Sequence, residues 1–148
     1  MENSILICCG PERVFRLASA IEDWPELLPH YRDVTILGPV GSGRLAEMKA
    51  FRGRIPVRWR AIQTTDSSIP TVRFHHVAGF TRGMDVAWRF TPEESPGERP
   101  LTRASITHEL TFGTRAWLLA RIIGPLFIDP IATRTLARIK VLAEASGA

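Results

Sequence analysis

The chain has 148 residues, a length typical of one domain that builds a continuous core without disulfides or metals. Hydrophobic residues make up 45% and charged residues 23% of the sequence, which excludes disordered, collagen-like and coiled-coil proteins. The 19 Lys and Arg against 15 Asp and Glu give a net charge of +4 at pH 7, but the basic residues are dispersed from Arg13 to Arg138. No nucleic-acid partner is therefore expected, since nucleic acids are bound by clustered basic residues.

Several features predict a soluble cytoplasmic protein. The N-terminus MENSILICCG lacks the basic region and the long apolar run of a secretory signal. The apolar stretch 116–128 is too short to cross a bilayer and is interrupted by Arg121 and Pro125. Cys8 and Cys9 are adjacent, which predicts two free thiols rather than a disulfide. We expect a single domain over 1–148, with no cofactor and no metal site.

The first elements in chain order are a strand and two short helices. A strand is predicted over 2–9. Apolar residues at helical spacing then predict a helix over 11–23 that begins at Pro11. A second short helix is predicted over 24–28, with Asp23 as its cap and Glu26 in the capping-box position.

From Tyr31 onward the apolar residues alternate, which predicts six strands joined by short connections. Their ranges are about 31–39, 44–52, 55–65, 70–78, 83–91 and 101–112. Helical periodicity returns from Thr114 to about Ala145, where Pro125 and Pro130 are expected to kink or divide the helix. The predicted fold class is α+β: a seven-stranded curved antiparallel sheet around a long C-terminal helix, with two short helices between strands 1 and 2.

The alternation also predicts an apolar concave face that carries a few polar side chains. His76 and His108 on this face have two interpretations, as hydrogen-bonded core residues or as ligand contacts. A shared metal ion is not expected, because another strand separates them and no acid or cysteine completes a ligand set. Large aromatic walls with few polar groups are also typical of a small-molecule pocket.

Two segments carry a family resemblance: PERVFRLASAIEDWPELLPHYRDVTIL near the start and GPLFIDPIATRTLARIKVLAEA near the end. They resemble the polyketide cyclase/dehydrase (aromatase/cyclase-like) branch of the helix-grip superfamily, which also contains START lipid-transfer domains and birch-pollen-allergen-like proteins. The resemblance implies a helix-grip fold. In aromatase/cyclases it places an aromatic acid–base candidate seven residues after the Trp of the short helix, and Trp24 and Tyr31 match that spacing. It also implies a catalytic Arg where this chain has Gln63.

These observations lead to two main functional hypotheses. The first is binding or transport of a small hydrophobic molecule, such as a polyketide, an isoprenoid quinone or a lipid, in an internal cavity. The predicted ligand-binding residues are Trp24, Tyr31, Trp59, Gln63, Phe74, His76, Met84, Trp88 and His108. The alternative is an aromatase/cyclase-like enzyme that cyclises and dehydrates a polyketide-type substrate.

In the enzyme hypothesis Tyr31, His76 and His108 are the candidate catalytic proton carriers, and Gln63 would donate a hydrogen bond to a carbonyl. Gln63 cannot supply the fixed positive charge of the expected Arg, which favours binding over catalysis. A third hypothesis is an interaction protein whose cavity is filled by its own side chains.

The first half of the C-terminal helix, 117–128, carries apolar residues on more than one face. This pattern predicts a contact besides the cavity: a homodimer partner, a transient membrane contact with Arg115 and Arg121 at its polar margin, or the short N-terminal helices. Leu119 and Ile123 are predicted to point outward.

Overall fold

The computed structural model describes residues 1–79, 81–110 and 124–145. The strands are β1 (Glu2–Ile7), β2 (Tyr31–Val40), β3 (Gly43–Arg52), β4 (Ile55–Asp66), β5 (Thr71–Gly79), β6 (Met84–Glu93) and β7 (Leu101–Leu110). The helices are α1 (Pro11–Ser19), a 3-10 turn (Ile21–Asp23), α2 (Trp24–Leu27), a π-helical turn (Gly124–Ile128) and α3 (Asp129–Ala145).

The seven strands form one antiparallel sheet in the order β1-β7-β6-β5-β4-β3-β2. Five hairpin connections build the meander from β2 to β7, and β1 then pairs with β7, so that Glu2 lies opposite Thr107. The curved sheet packs around α3, and α1 and α2 lie between strands 1 and 2 in the chain. The predicted α+β fold class and helix-grip arrangement are confirmed.

The buried face of α3 forms the inner layer of the core. Leu136, Ile139 and Ala143 are buried there at helical spacing, and each large aliphatic side chain contributes about 1.5–3 kcal/mol by leaving water. Two basic side chains join the outer part of α3 to the rest of the fold. Lys140 Nζ donates to Leu6 O at 2.7 Å, and Arg138 Nε donates to Leu27 O at 3.0 Å. These bonds hold α3 across the concave face of the sheet.

The helix predicted over 11–23 is interrupted. The α-helical part ends at Ser19, because Ala20 leaves the helical region with φ −82° and ψ 64°, and a 3-10 turn follows. The predicted cap is also wrong: Asp23 keeps helical dihedral angles and makes no capping hydrogen bond with its side chain. The chain therefore changes direction at Ala20, which turns Trp24 into the core.

The C-terminal helix divides at the predicted prolines. Pro125 lies in the π-helical turn, and Pro130 is the second residue of α3, where a missing N–H costs nothing. The predicted start of this helix, and the expected outward positions of Leu119 and Ile123, lie outside the described residues. Among the described helices, none is long and apolar enough to cross a membrane.

A β-bulge shapes the end of β5. Ala61 pairs with His76 but Arg60 pairs with Ala78, so one extra residue, Val77, is inserted opposite β4. The strand ends at Gly79, whose φ of 101° is unfavourable for other residues and whose missing Cβ would lie 2.7 Å from Arg58 O. This local bend is compatible only with glycine, and it brings the following turn over the concave face.

Candidate functional site

A cavity of about 70 Å³ lies between the concave face of the sheet and α3. Eight of the nine predicted ligand-binding residues line it, together with nine other residues of the described ranges. The predicted ones are Trp24, Tyr31, Trp59, Phe74, His76, Met84, Trp88 and His108; the others are Met48, Thr81, Val86, Ile106, Phe127, Ile128, Ile131, Ala132 and Thr135.

Trp24 is the centre of the aromatic wall. Its ring meets Tyr31 edge-on at a centroid distance of 4.9 Å and lies 5.9 Å from Trp88 and 6.4 Å from Phe74. Its indole N–H donates to Leu17 O at 3.1 Å, so the one polar atom of the side chain is satisfied by the backbone of α1. The wall is consequently held in place by packing and by a hydrogen bond that faces away from any ligand.

Trp59 and His76 form the opposite wall. Their rings are nearly parallel, with an interplanar angle of 10° and a centroid distance of 5.9 Å, and Tyr31 contacts Trp59 edge-on. Trp59 lies opposite Gly79 in the sheet, and the absence of a Cβ at that position leaves room for the indole. Flat surfaces of this kind favour a flat, ring-bearing ligand.

His76 is held by a residue that the sequence analysis did not select. Its Nδ1 shares a hydrogen bond of 2.6 Å with the hydroxyl of Thr81, which lies in the turn after the β5 bulge. Burial, together with the nearby His108 and His75, lowers the pKa of His76 to about 3. His76 is therefore neutral at pH 7, so its ring carries one N–H donor and one acceptor nitrogen.

His108 faces the same cavity from β7. Burial is the largest cause that lowers its pKa to about 4, and the N-terminal ammonium group acts in the same direction. Its Nδ1 is buried without a hydrogen-bond partner in the described part of the chain. An unpaired buried nitrogen costs free energy, and a ligand or a bound water would remove that cost.

Tyr31 belongs to a second polar group beneath α3. Burial raises the pKa of Tyr31 above its ordinary value, so the phenol stays protonated, while a hydrogen bond with Thr135 opposes the shift. Thr135 also shares a hydrogen bond of 2.8 Å with His30 Nε2 and donates to Ile131 O. Burial lowers the pKa of His30 to about 4, so this group is uncharged at neutral pH.

Gln63 does not line the cavity, in contrast to the sequence-based expectation. It is 2% exposed, and both ends of its amide are occupied by protein partners. Arg44 Nε donates to Gln63 Oε1 at 2.7 Å, and Gln63 Nε2 donates to Ser19 O at 2.9 Å. Arg44 also forms an ion pair with Glu22, so its charge is neutralised here and is not presented to the cavity.

The residues that sequence reasoning missed fall into two groups. Val86 and Ile106 have the inward alternation that the sequence predicts, and Met48 follows the same rule on β3, so extending the ligand-binding set to every inward position would have included them. Thr81 and the residues of the π-helical turn and α3 carry no such signal. The bulge in β5 brings Thr81 to the site. Which residues of α3 face the cavity depends on how the helix is rotated against the sheet.

Solved structures with the same fold were found for the whole chain. TTHA0849 from Thermus thermophilus has a TM-score of 0.74 and 23% identity, with 100% of this chain and 99% of that chain covered. The Zhui aromatase/cyclase from Streptomyces has a TM-score of 0.71 and 11% identity, covering 97% and 92%. A START superfamily protein from Mycobacterium smegmatis has a TM-score of 0.67 and 12% identity, covering 96% and 97%. At these identities the likeness shows the fold alone.

The sequence itself gives the family. The family model described as polyketide cyclase / dehydrase and lipid transport matches residues 8–137, which include every strand from β2 to β7 and most of α3. The predicted family resemblance is thereby confirmed at the level of the whole fold. This chain is a member of the polyketide cyclase/dehydrase and lipid transport family.

Proposed function

We propose that the protein binds a small hydrophobic molecule with a flat ring in the cavity between the sheet and α3. One observation carries the proposal: the wall is aromatic and uncharged, because its histidines are neutral and its tyrosine is protonated at pH 7. Such a wall favours apolar surface, and His108 Nδ1, which has no partner among the described residues, is available for a hydrogen bond to a polar group of the ligand. Polyketide-derived aromatics, isoprenoid quinones and lipids with a ring-bearing head group are the corresponding ligand classes.

The volume of the cavity adds a condition to this proposal. About 70 Å³ is less than the roughly 150 Å³ cavity that accommodates benzene in another protein, so side chains must move when a ring enters. Met48 and Met84 line the cavity, and their unbranched side chains repack at low cost. We expect ligand binding to displace these methionines rather than the tryptophans.

The first experiment is native mass spectrometry of protein purified without detergent, followed by thermal shift against ring-bearing quinones, naphthols and fatty acids. A ligand at 100 times its Kd stabilises the protein by about 2.7 kcal/mol, which gives a clear rise in Tm. Ala132→Leu, which fills the cavity from α3, is expected to remove the shift, and Met84→Ala is expected to admit larger rings. Ile69→Ala, on the far surface, is the control. Binding that survives in Ala132→Leu would contradict the proposal.

An enzymatic role is the second candidate, and it is favoured by one observation. Two neutral imidazoles and a protonated phenol line the same cavity, which is a suitable set for general acid–base chemistry. Against it, Arg44 is neutralised by Glu22 and lies outside the lining, so no described cation faces a developing enolate. His76→Phe and His108→Phe separate the two roles. A binding protein keeps its ligand in these variants, whereas an enzyme loses turnover while it still binds.

A further inference from the structure

A second surface of interest lies where two segments meet outside the cavity. Ile55, at the start of β4, is 53% exposed, and Leu126, in the π-helical turn, is 51% exposed. Arg52 Nε donates to Leu126 O at 2.8 Å and so holds the β3–β4 hairpin against this turn. The two exposed aliphatic side chains therefore belong to neighbouring segments, which we call the hairpin patch.

Five basic residues lie on the strands and the turn of the β3–β4 hairpin. They are Lys49, Arg52, Arg54, Arg58 and Arg60, of which Arg58 and Arg60 line the same outer groove as Ile55. The nearby carboxylate on these strands, Glu47, is already bonded to Arg60 at 2.8 Å. None of Lys49, Arg54 and Arg58 has a carboxylate within ion-pair distance in the described ranges. The patch thus carries a local excess of positive charge.

The arrangement of two of these cations is unfavourable within the protein. Lys49 lies directly opposite Arg58 in the β3–β4 ladder, and like charges in facing positions destabilise a sheet. An anionic partner would relieve this repulsion. The positive charge and the exposed aliphatic side chains together fit a partner that is anionic at its surface and apolar just beneath it.

The hairpin patch is continuous with the cavity. Ile55, Pro56 and Arg58 border an outer groove that is also lined by Trp59 and Phe127. The same two aromatic residues line the inner cavity. A hydrophobic molecule that leaves the cavity past Trp59 and Phe127 would emerge at the hairpin patch.

We propose that the hairpin patch docks on an anionic lipid bilayer. Ile55 and Leu126 would enter the boundary between head groups and acyl chains, while Arg54 and Arg58 contact lipid phosphates. Each arginine near an anionic surface strengthens binding by roughly fivefold, and the effect disappears at high salt. Docking of the hairpin patch does not depend on what the cavity binds.

The test is co-sedimentation with vesicles of phosphatidylcholine, with or without about one-third phosphatidylglycerol. We expect binding to the anionic vesicles alone, at low salt. R54Q/R58Q should weaken it by roughly 25-fold, and Ile55→Asp should abolish it. The matched controls are Ile69→Asp and Arg73→Gln. Ile69 is 72% exposed in the turn between β4 and β5, and Arg73 pairs with Thr64 near that turn, so both controls lie far along the strand from Ile55 and should bind like the wild type.

Three outcomes would overturn the proposal. They are equal binding to both vesicle types, equal losses in the control variants, and a concentration-dependent dimer in size-exclusion chromatography that Ile55→Asp converts to a monomer. The last would make the patch an interface between two copies. Ligand binding by the same variants without vesicles keeps the two proposals apart, because a docking defect leaves it intact.

Discussion

The two ends of β4 differ in how the buried polar groups beside them are hydrogen-bonded. At the Gln63 end every polar atom described is paired within the protein, through Arg44, Glu22 and the backbone of Ser19. At the Trp59 end His76 is bonded to Thr81, and His108, which lines the same cavity, has a buried Nδ1 with no partner in the described part of the chain. Gln63 and Trp59 both occupy inward-facing positions of β4, and His76 occupies one on the neighbouring strand β5. Pairing, rather than burial, distinguishes a structural polar cluster from one that is available to a ligand.

The largest expected difference between the two ends of β4 is in how their contributions to stability depend on pH. His76 and His108 have pKa values of about 3 and about 4 in the folded protein, against about 6.5 when unfolded. The unfolded chain therefore takes up protons first, so stability is complete above pH 6.5 and decreases as the pH falls toward 4. At pH 5 each histidine costs about 2 kcal/mol of unfolding free energy.

The Gln63 end responds in a lower pH range. The hydrogen bond from Arg44 lowers the pKa of Glu22, so its contribution is present above the ordinary carboxylate pKa and is lost only as the pH falls through the depressed value. Urea unfolding between pH 7 and pH 5 tests the difference. His76→Phe and His108→Phe should each reduce the pH slope by about one proton. An unchanged slope in the Phe variants would show that these histidines are not buried as neutral groups.

Gln63→Leu should disrupt the hydrogen bonds at the Gln63 end of β4 and leave the cavity at the Trp59 end unchanged. The substitution leaves Arg44 Nε without its acceptor and removes one of the two hydrogen bonds to Ser19 O, and the expected loss is about 1–3 kcal/mol of unfolding free energy. Ligand affinity should stay the same, because Gln63 does not line the cavity. Urea unfolding and ligand titration measure the two effects, with the exposed Thr65→Val as the control. Reduced affinity at unchanged stability would place Gln63 in the ligand site after all.

Thr81→Val should have the smallest effect on stability and a clear effect on binding. It removes one hydrogen bond of about 1 kcal/mol and frees the His76 ring to rotate. Thr102→Val is a matched control, because its hydroxyl makes a similar buried bond of 2.6 Å to Cys9 O away from the cavity. We expect the two variants to lose similar amounts of stability. Ligand binding should be weaker only in Thr81→Val. Equal binding in both variants would mean that Thr81 does not orient His76.

The sequence was sufficient for the sheet and for most of the cavity wall because alternation is a local property. Trp59, Phe74 and Trp88 could each be assigned to the concave face from their neighbours alone. Alternation predicts which face of the sheet a side chain occupies. It does not predict whether a hydrogen-bond partner lies beside that side chain. Gln63 was therefore assigned correctly as inward, while its pairing with Arg44 depends on a neighbouring strand and on where α1 ends.

Other differences have the same origin in non-local structure. Thr81 reaches the cavity because a bulge and a glycine redirect the chain after His76, and a bulge leaves no simple trace in hydropathy. Asp23 and Glu26 match the capping-box pattern, but the 3-10 turn places Asp23 inside a continuous helical path. Local patterns in this chain predict elements well and their junctions poorly.

The pairing of β1 with β7 has a consequence for the order in which the protein assembles. Ser4 pairs with Ser105 in the β1–β7 ladder. During synthesis β1 therefore has no pairing partner until about a hundred further residues have been made. At roughly 5–20 residues per second this wait lasts several seconds, while the hairpins from β2 onward can form as they emerge. The cavity has no closing wall until β7 and α3 arrive. Pulse-labelled hydrogen exchange during refolding of the full chain should likewise protect the β3–β4 hairpin before β1, because the hairpin closes a much shorter loop than the β1–β7 pair, and the cavity should become competent to bind only in the last step.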